Sequence, residues 1–235
     1  MGTIAKLICT EGLDSSGKST QSELVKEYLK DNNKSFKFFH FPMYGHNKFS
    51  EMIARFLRGE FGSIEEVSPY FVANLYAMDR FMFLPELKKA MDENYVVLLD
   101  RYVYSNIAYQ GAKYPIDSDE NKDIRRWIYQ FEFGFLKLPK PDLNIFFDVP
   151  IEIIKQRLES NREGTDRGYL NGKKDIHESN INFQNEVRSN YILSMNNDPS
   201  WDNHCKIISC INNQNKLFNP LDLFNSYKKY IDEIL

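Results

Sequence analysis

A chain of 235 residues with 42% hydrophobic side chains is long enough for one α/β domain or two small ones, and apolar enough to bury a sizeable core. Its formal net charge of −3 argues against a dedicated DNA- or RNA-binding protein, which is usually basic. The three cysteines, Cys9, Cys205 and Cys210, are odd in number and two of them sit in apolar runs, so they read as small buried thiols in a reducing cytoplasm rather than as a disulfide framework.

No apolar run approaches the ~18 residues of a membrane span, and Met1 leads directly into a strand-like run, so neither an anchor nor a leader is expected. That first run, residues 4–10, is short and mostly apolar and reads as a buried strand. Gly12-Leu13-Asp14-Ser15-Ser16-Gly17-Lys18-Ser19-Thr20 follows and fits the phosphate-cradling pattern G-x-x-x-x-G-K-[ST]. Glycines let the backbone turn tightly, successive N–H groups form an anion nest, and the next helix offers its positive end. In that pattern Lys18 reaches the β/γ-phosphates and Ser19 holds Mg²⁺.

Leu24, Val25, Tyr28 and Leu29 recur at helical spacing over residues 21–30. Residues 35–41 form a second strand, stopped by Pro42, with Tyr44 in the loop beyond its end. Helices follow over residues 50–58, 70–83 and 86–93. Residues 95–100 are the cleanest buried strand and end in Asp100, where a Walker-B-type acid helps hold Mg²⁺; a strand-ending Asp is also a common turn residue. Arg101, next in line, can grip phosphate bidentately or form a surface ion pair. Helices are expected at 102–110, 123–136, 151–158, 175–193 and 222–235, with strands at 142–149 and 204–211. Residues 161–174 lack apolar periodicity and carry Arg162, Arg167, Lys173 and Lys174 among glycines: a mobile lid that brings cations to a phosphoryl group, or a charged solvated loop.

Five strands alternating with helices predict a parallel sheet covered on both faces, in one domain over residues 1–235 with the lid at 161–174. Ligands then bind beyond the C-terminal strand ends, where the glycine loop, Pro42 to Tyr44, and Asp100-Arg101 all fall.

At this point the residues reach a family. The glycine loop preceded by Glu11, Phe41-Pro42-Met43-Tyr44-Gly45, Leu75-Tyr76-Ala77-Met78-Asp79-Arg80, the run from Asp100-Arg101-Tyr102 to Tyr109-Gln110-Gly111, Leu138-Pro139-Lys140-Pro141-Asp142 and Asp175-Ile176-His177-Glu178 together resemble thymidylate kinases. The D-R-Y-x-x-S-x-x-A-Y-Q-G run is far more specific than the glycine loop.

The resemblance implies a P-loop kinase fold that transfers the γ-phosphoryl of ATP, with Mg²⁺, to dTMP. It implies that Asp14 meets the sugar 3′ end or the acceptor phosphate, that Tyr76 stacks on thymine, and that Arg80 and Asn106 read the base edge. Tyr109 would lie under the deoxyribose, Tyr44 and Arg101 would hold the acceptor phosphate, and Phe41, Ser105 and Gln110 would complete the substrate site. Two departures stand out. Met43 and Tyr44 occupy a region where many relatives carry a phosphate-gripping Arg, and Ser15 and Ser16 occupy loop positions where some carry a catalytic Arg. The catalytic cation then falls to the lid, with Arg162 and Arg167 as candidates and Arg157 as a third. A homodimer through the helix at 70–83 is implied, with neither nucleic acid nor membrane as partner. The alternatives are a kinase of the same fold acting on dUMP, dCMP or a nucleoside, and a P-loop switch that hydrolyses nucleotide slowly.

Overall fold

The computed structural model describes residues 5–159, 165–170, 172, 175–177, 180–196 and 204–235. Five strands, β1 (Lys6–Glu11), β2 (Phe36–His40), β3 (Val96–Asp100), β4 (Leu143–Asp148) and β5 (Cys205–Ser209), form one parallel sheet in the order β2-β3-β1-β4-β5. Helices α1 (Lys18–Asp31), α2 (Lys48–Leu57), α3 (Pro69–Met82), α4 (Leu84–Glu93), α5 (Val103–Gly111), α6 (Asp119–Tyr129), α7 (Ile151–Glu159), α8 (Ile181–Asn196) and α9 (Pro220–Asp232) surround it. The family-type α/β fold expected from the sequence is therefore present.

The sheet is covered on both faces, which is why β3 reads as the uninterrupted run Val96-Val97-Leu98-Leu99-Asp100, with every residue buried. A second cluster, built from Ile53, Phe56, Leu57, Val67, Val72 and Leu75, closes the α2–α3 side. β1 has β3 on one side and β4 on the other, so connections leave it in opposite directions and open a crevice beyond its C-terminal end. In register, Thr10 of β1 pairs with Asp100 of β3, and Asp100 with His40 of β2. The ends of three strands thus share one level.

Three boundaries differ from the sequence reading. The helix expected at 123–136 begins earlier, because the Ser118 hydroxyl accepts the Asn121 N–H at 3.1 Å, and it runs on into a π-helical turn at Gln130–Phe135. The helix expected from Asp175 begins only at Ile181. Asp175 instead turns the chain by accepting the His177 N–H at 2.8 Å, and Asn180 caps α8 by accepting the Phe183 N–H at 3.0 Å. Within residues 161–174, the segment Thr165–Leu170 forms a 3₁₀ turn rather than irregular loop. Leu170 is buried in the α2–α3 cluster, and Arg58 donates to the Tyr169 carbonyl at 2.6 Å, so this end of the segment is fastened to the body.

Candidate active site

The glycine loop follows β1 directly. Gly17 sits at φ 91°, a left-handed conformation that side chains resist, and starts α1. A Cβ on Gly12 would come within 2.7 Å of the Ser16 hydroxyl, so the tight turn also needs glycine there. The buried Lys18 ammonium donates to the carbonyls of Gly12 (3.1 Å) and Leu13 (2.9 Å). Ser15, Ser16, Gly17, Lys18, Ser19 and Thr20 line one hollow with Arg157, which donates to the Ser15 carbonyl at 2.7 Å. Arg157 is therefore a loop-side cation.

A second, deeper cavity of about 810 Å³, its open mouth included, begins on the other side of Lys18 and Ser19. Asp14, Tyr44, Tyr76, Asp100, Arg101, Ser105, Asn106, Tyr109 and Gln110 line it, as the sequence reading grouped them. Phe41 lies behind it in the core, joined to Pro42 by a cis peptide.

Arg101 is the pivot of the wall. Its backbone is left-handed at φ 66°, a conformation a non-glycine residue holds only when its surroundings insist. Its N–H donates to the Thr10 carbonyl at 2.9 Å, and its guanidinium reaches Asp14 Oδ1 at 2.6 Å. Burial opposes the Arg101 charge, but Asp14 more than offsets it and the cation is held firmly. The Tyr109 hydroxyl donates to the other Asp14 oxygen at 3.0 Å. Asp14 therefore links the glycine loop to α5.

Asp100 is buried at the end of β3. Burial works against its charge, yet the His40 hydrogen bond and the fields of Lys18 and Arg101 hold its carboxyl below the usual range. His40 Nδ1 lies 3.2 Å from Oδ2, while the buried Oδ1 has no hydrogen-bond partner among the described residues. An orphaned, charged oxygen beside Lys18 and Ser19 suits a hard cation such as Mg²⁺. Among the described residues no group of three or more His, Cys, Asp or Glu side chains is placed to hold a metal by itself. Such an ion would draw most of its ligands from nucleotide phosphates and water.

Two residues stand differently from expectation. Arg80 does not line the cavity. It is buried behind the wall, where Nε and Nη2 both donate to Glu132 at 2.6 Å. Two of its guanidinium nitrogens are thus committed to a bidentate ion pair. Tyr44 lines the cavity but stacks flat on Tyr169, with ring centroids 4.2 Å apart and planes 7° apart. Asp79 holds the Tyr44 loop by accepting the Met43 N–H at 3.0 Å and the Asn47 amide at 2.7 Å. Arg162 lies outside the described residues, and so does the side chain of Arg167, whose backbone is in the 3₁₀ turn.

Several working residues were missed. Glu11 is fully buried and accepts from the N–H groups of Tyr102 (2.9 Å) and Ser105 (3.3 Å), the Ser105 hydroxyl (2.5 Å) and the Tyr191 hydroxyl (3.0 Å). The N-terminus of α5 has no side-chain cap of its own. Glu11, ninety residues back, supplies one. An acid ending an apolar strand beside the glycine loop is the signal by which it could be found. Tyr169, Asp175 and His177 also line the cavity, with the Tyr169 hydroxyl on Asp175 at 3.0 Å. His177 is buried against Tyr109, Phe56 and Phe183. Burial, helped by Lys113, pushes its pKa down to about 3. Asp175 and His177 belong to a motif that the resemblance marks without giving it a role, Tyr169 to none; all three meet the site because the chain returns to it after α7.

Comparison with known proteins gives one answer. The thymidylate kinase family matches residues 10–209. The thymidylate kinase of Mycobacterium tuberculosis (strain H37Rv) is 33% identical over 151 residues, covering 64% of this chain and 69% of that protein. That of Plasmodium falciparum is 29% identical over 181 residues, covering 77% and 78%. That of Sulfurihydrogenibium sp. is 30% identical over 188 residues, covering 79% and 86%. Among solved structures, the thymidylate kinase of Candida albicans has the same fold, with a TM-score of 0.72 at 24% identity over 99% of this chain and 93% of that one. With a phosphate loop on one side of Lys18, an aromatic and amide-lined cavity on the other, and a match along most of its length, the chain belongs to the thymidylate kinase family.

Proposed function

We propose that the cavity behind Arg101 takes dTMP while the hollow under residues 15–20 takes the phosphates of ATP. The activity follows from the family: the protein phosphorylates dTMP to dTDP, with ATP as donor. One observation carries the assignment of sites. Lys18 and Ser19 line both the loop hollow and the cavity, so a phosphoryl group passing between them crosses a point flanked by both residues.

The chemistry needs little from the protein beyond placement and charge. The acceptor is a phosphomonoester whose second pKa is about 6, so near neutrality it is mostly a dianion and needs no general base. Lys18, Arg101 and the loop N–H groups hold two polyanions together and spread the charge that develops. Arg157 adds a cation on the donor side. Arg162 and Arg167 complete the set when residues 161–174 act as a lid, which also keeps water from competing as acceptor. Ser19 and Asp100 are the residues that would hold Mg²⁺; bound there, it neutralises donor phosphate charge and orients it for transfer. At the far end, Tyr76 offers its face to the base, and Asn106 and Gln110 offer amides to its edge. Both amide atoms of the buried Gln110 lack a partner among the described residues, as a ligand-facing group would.

The exposed Phe71, Phe81, Met82 and Phe135 lie on α3 and at its end and on the π turn, and they support a homodimer joined through that face. The three free cysteines support a cytoplasmic setting. No helix among the described residues is long and apolar enough to cross a membrane.

The deciding experiment is a panel of dTMP, dUMP, dCMP and thymidine with ATP or GTP as donor, followed by ADP or GDP release. The fastest turnover should come with dTMP and ATP, none with thymidine, and chelation of divalent cations should stop it. Phosphorylation of thymidine, or nucleotide release that ignores dTMP, would overturn the assignment of the cavity.

A further inference from the structure

We infer that Glu132 is a positioning residue for base selection: it locks the Asn106 amide so that only a hydrogen-bond acceptor faces the cavity. The inference rests on the reading of that cavity as the acceptor-nucleotide site.

The Asn106 Nδ2 group donates to Glu132 Oε1 at 2.9 Å and to the Ala73 carbonyl at 3.0 Å. Both partners are pure acceptors, so reversing the amide would set Oδ1 against two oxygens. The orientation is thus fixed by the network itself. Oδ1 is buried and without a partner among the described residues, and Asn106 lines the cavity. The carboxylate that imposes this is itself immobile. Arg80 holds both of its oxygens at 2.6 Å, and neither side chain has meaningful solvent access, at 2% and 0%. Glu132 reaches this place from the π turn of residues 130–135, an irregularity that recurs at functional sites.

An acceptor fixed in a dry wall demands a donor from the ligand. A thymine or uracil ring has one at N3; cytosine presents a lone pair there. Cytosine would therefore face Oδ1 acceptor to acceptor, with no route to relief, because the amide cannot turn. Gln110 makes the contrast. One helical turn further along α5 and also in the wall, its amide has no partner among the described residues, so no network fixes which edge it offers. Selectivity comes from the locked amide, and Glu132 is the side-chain half of a lock it shares with the Ala73 carbonyl.

The test compares base preference, not activity alone. In Glu132→Gln the side chain can present an amide nitrogen to Asn106, which leaves the Ala73 carbonyl as the one oxygen still opposing reversal of the Asn106 amide. The dCMP-to-dTMP ratio of kcat/KM should then rise roughly tenfold or more, the worth of one exchanged hydrogen bond in a buried site. The dUMP-to-dTMP ratio should not change, since those rings share the same N3 edge. General damage would lower all three substrates together. That result, or an unchanged dCMP ratio, overturns the inference. Should the unpaired Arg80 prevent folding, Arg80→Met combined with Glu132→Leu removes both charges and must show the same shift. The native protein supplies a third arm: dTMP methylated at N3 should neither bind nor react, and normal use of it overturns the inference outright. Failure of the native protein to bind dTMP saturably overturns the reading of the cavity itself. Saturable binding with unaltered base ratios overturns only the role of Glu132.

Discussion

Replacing Glu11 tests whether the active-site helix is held by a distant acid. The carboxylate accepts two backbone N–H groups at the start of α5, along with the hydroxyls of Ser105 and Tyr191, which also lie 2.7 Å from each other. In Glu11→Ala those hydroxyls can still pair, but both N–H groups are stranded in a buried site. At about 1–3 kcal/mol for each unsatisfied group, the loss is roughly 2–6 kcal/mol. In Glu11→Gln the remaining oxygen still takes the two N–H groups, and the hydroxyls can turn to accept from the amide. Only charge assistance is lost, about 1–2 kcal/mol. For a chain of this size each kcal/mol moves Tm by roughly 2–4 °C, so Glu11→Gln should melt about 2–8 °C lower and Glu11→Ala lower still. Because α5 carries Asn106, Tyr109 and Gln110, and Arg101 immediately precedes it, kcat should fall roughly tenfold even in the milder variant. Urea denaturation and steady-state kinetics on the same preparations measure both effects. A Glu11→Ala protein with native stability and native kcat would refute the idea that Glu11 anchors the helix.

Lys18→Ala should abolish turnover while dTMP still binds, measured by ADP release and calorimetry; near-native turnover would remove the loop from the mechanism. Arg162→Ala or Arg167→Ala should lower kcat more than it raises KM for dTMP, and if neither touches kcat the transition-state cation lies elsewhere, Arg157 first. His177 gives a pH signature. Burial holds its folded pKa at about 3, below the ~6.5 of an unfolded histidine, so protons favour the unfolded chain between those values. The stability this represents is complete above about pH 6.5 and is lost as pH falls toward 3. Going from pH 7.5 to 5 should cost the native protein about 2 kcal/mol more than His177→Phe, by urea denaturation at both pH values. Equal pH sensitivity would show that His177 is not buried as a neutral ring.

The sequence by itself determined the sheet, the glycine loop and most of the list of residues around the cavity. Strands such as Val96–Asp100 are legible because burial on both faces demands an uninterrupted apolar run. The glycine loop is legible because its chemistry is local: turn, anion nest and lysine all lie within nine residues. Helix starts were less legible, since Ser118 and Asn180 act through single hydrogen bonds that leave little trace in hydrophobic periodicity. What only the tertiary structure decided is the direction in which polar side chains point. Arg80 and Glu132 lie 52 positions apart, and so no local pattern joins them, yet they pair in the core behind the residues that line the cavity. Glu11 and Tyr191, 180 positions apart, are likewise united only by folding. A buried charge takes whichever partner the packed core brings to it, because leaving it unpaired costs more than any local preference can supply.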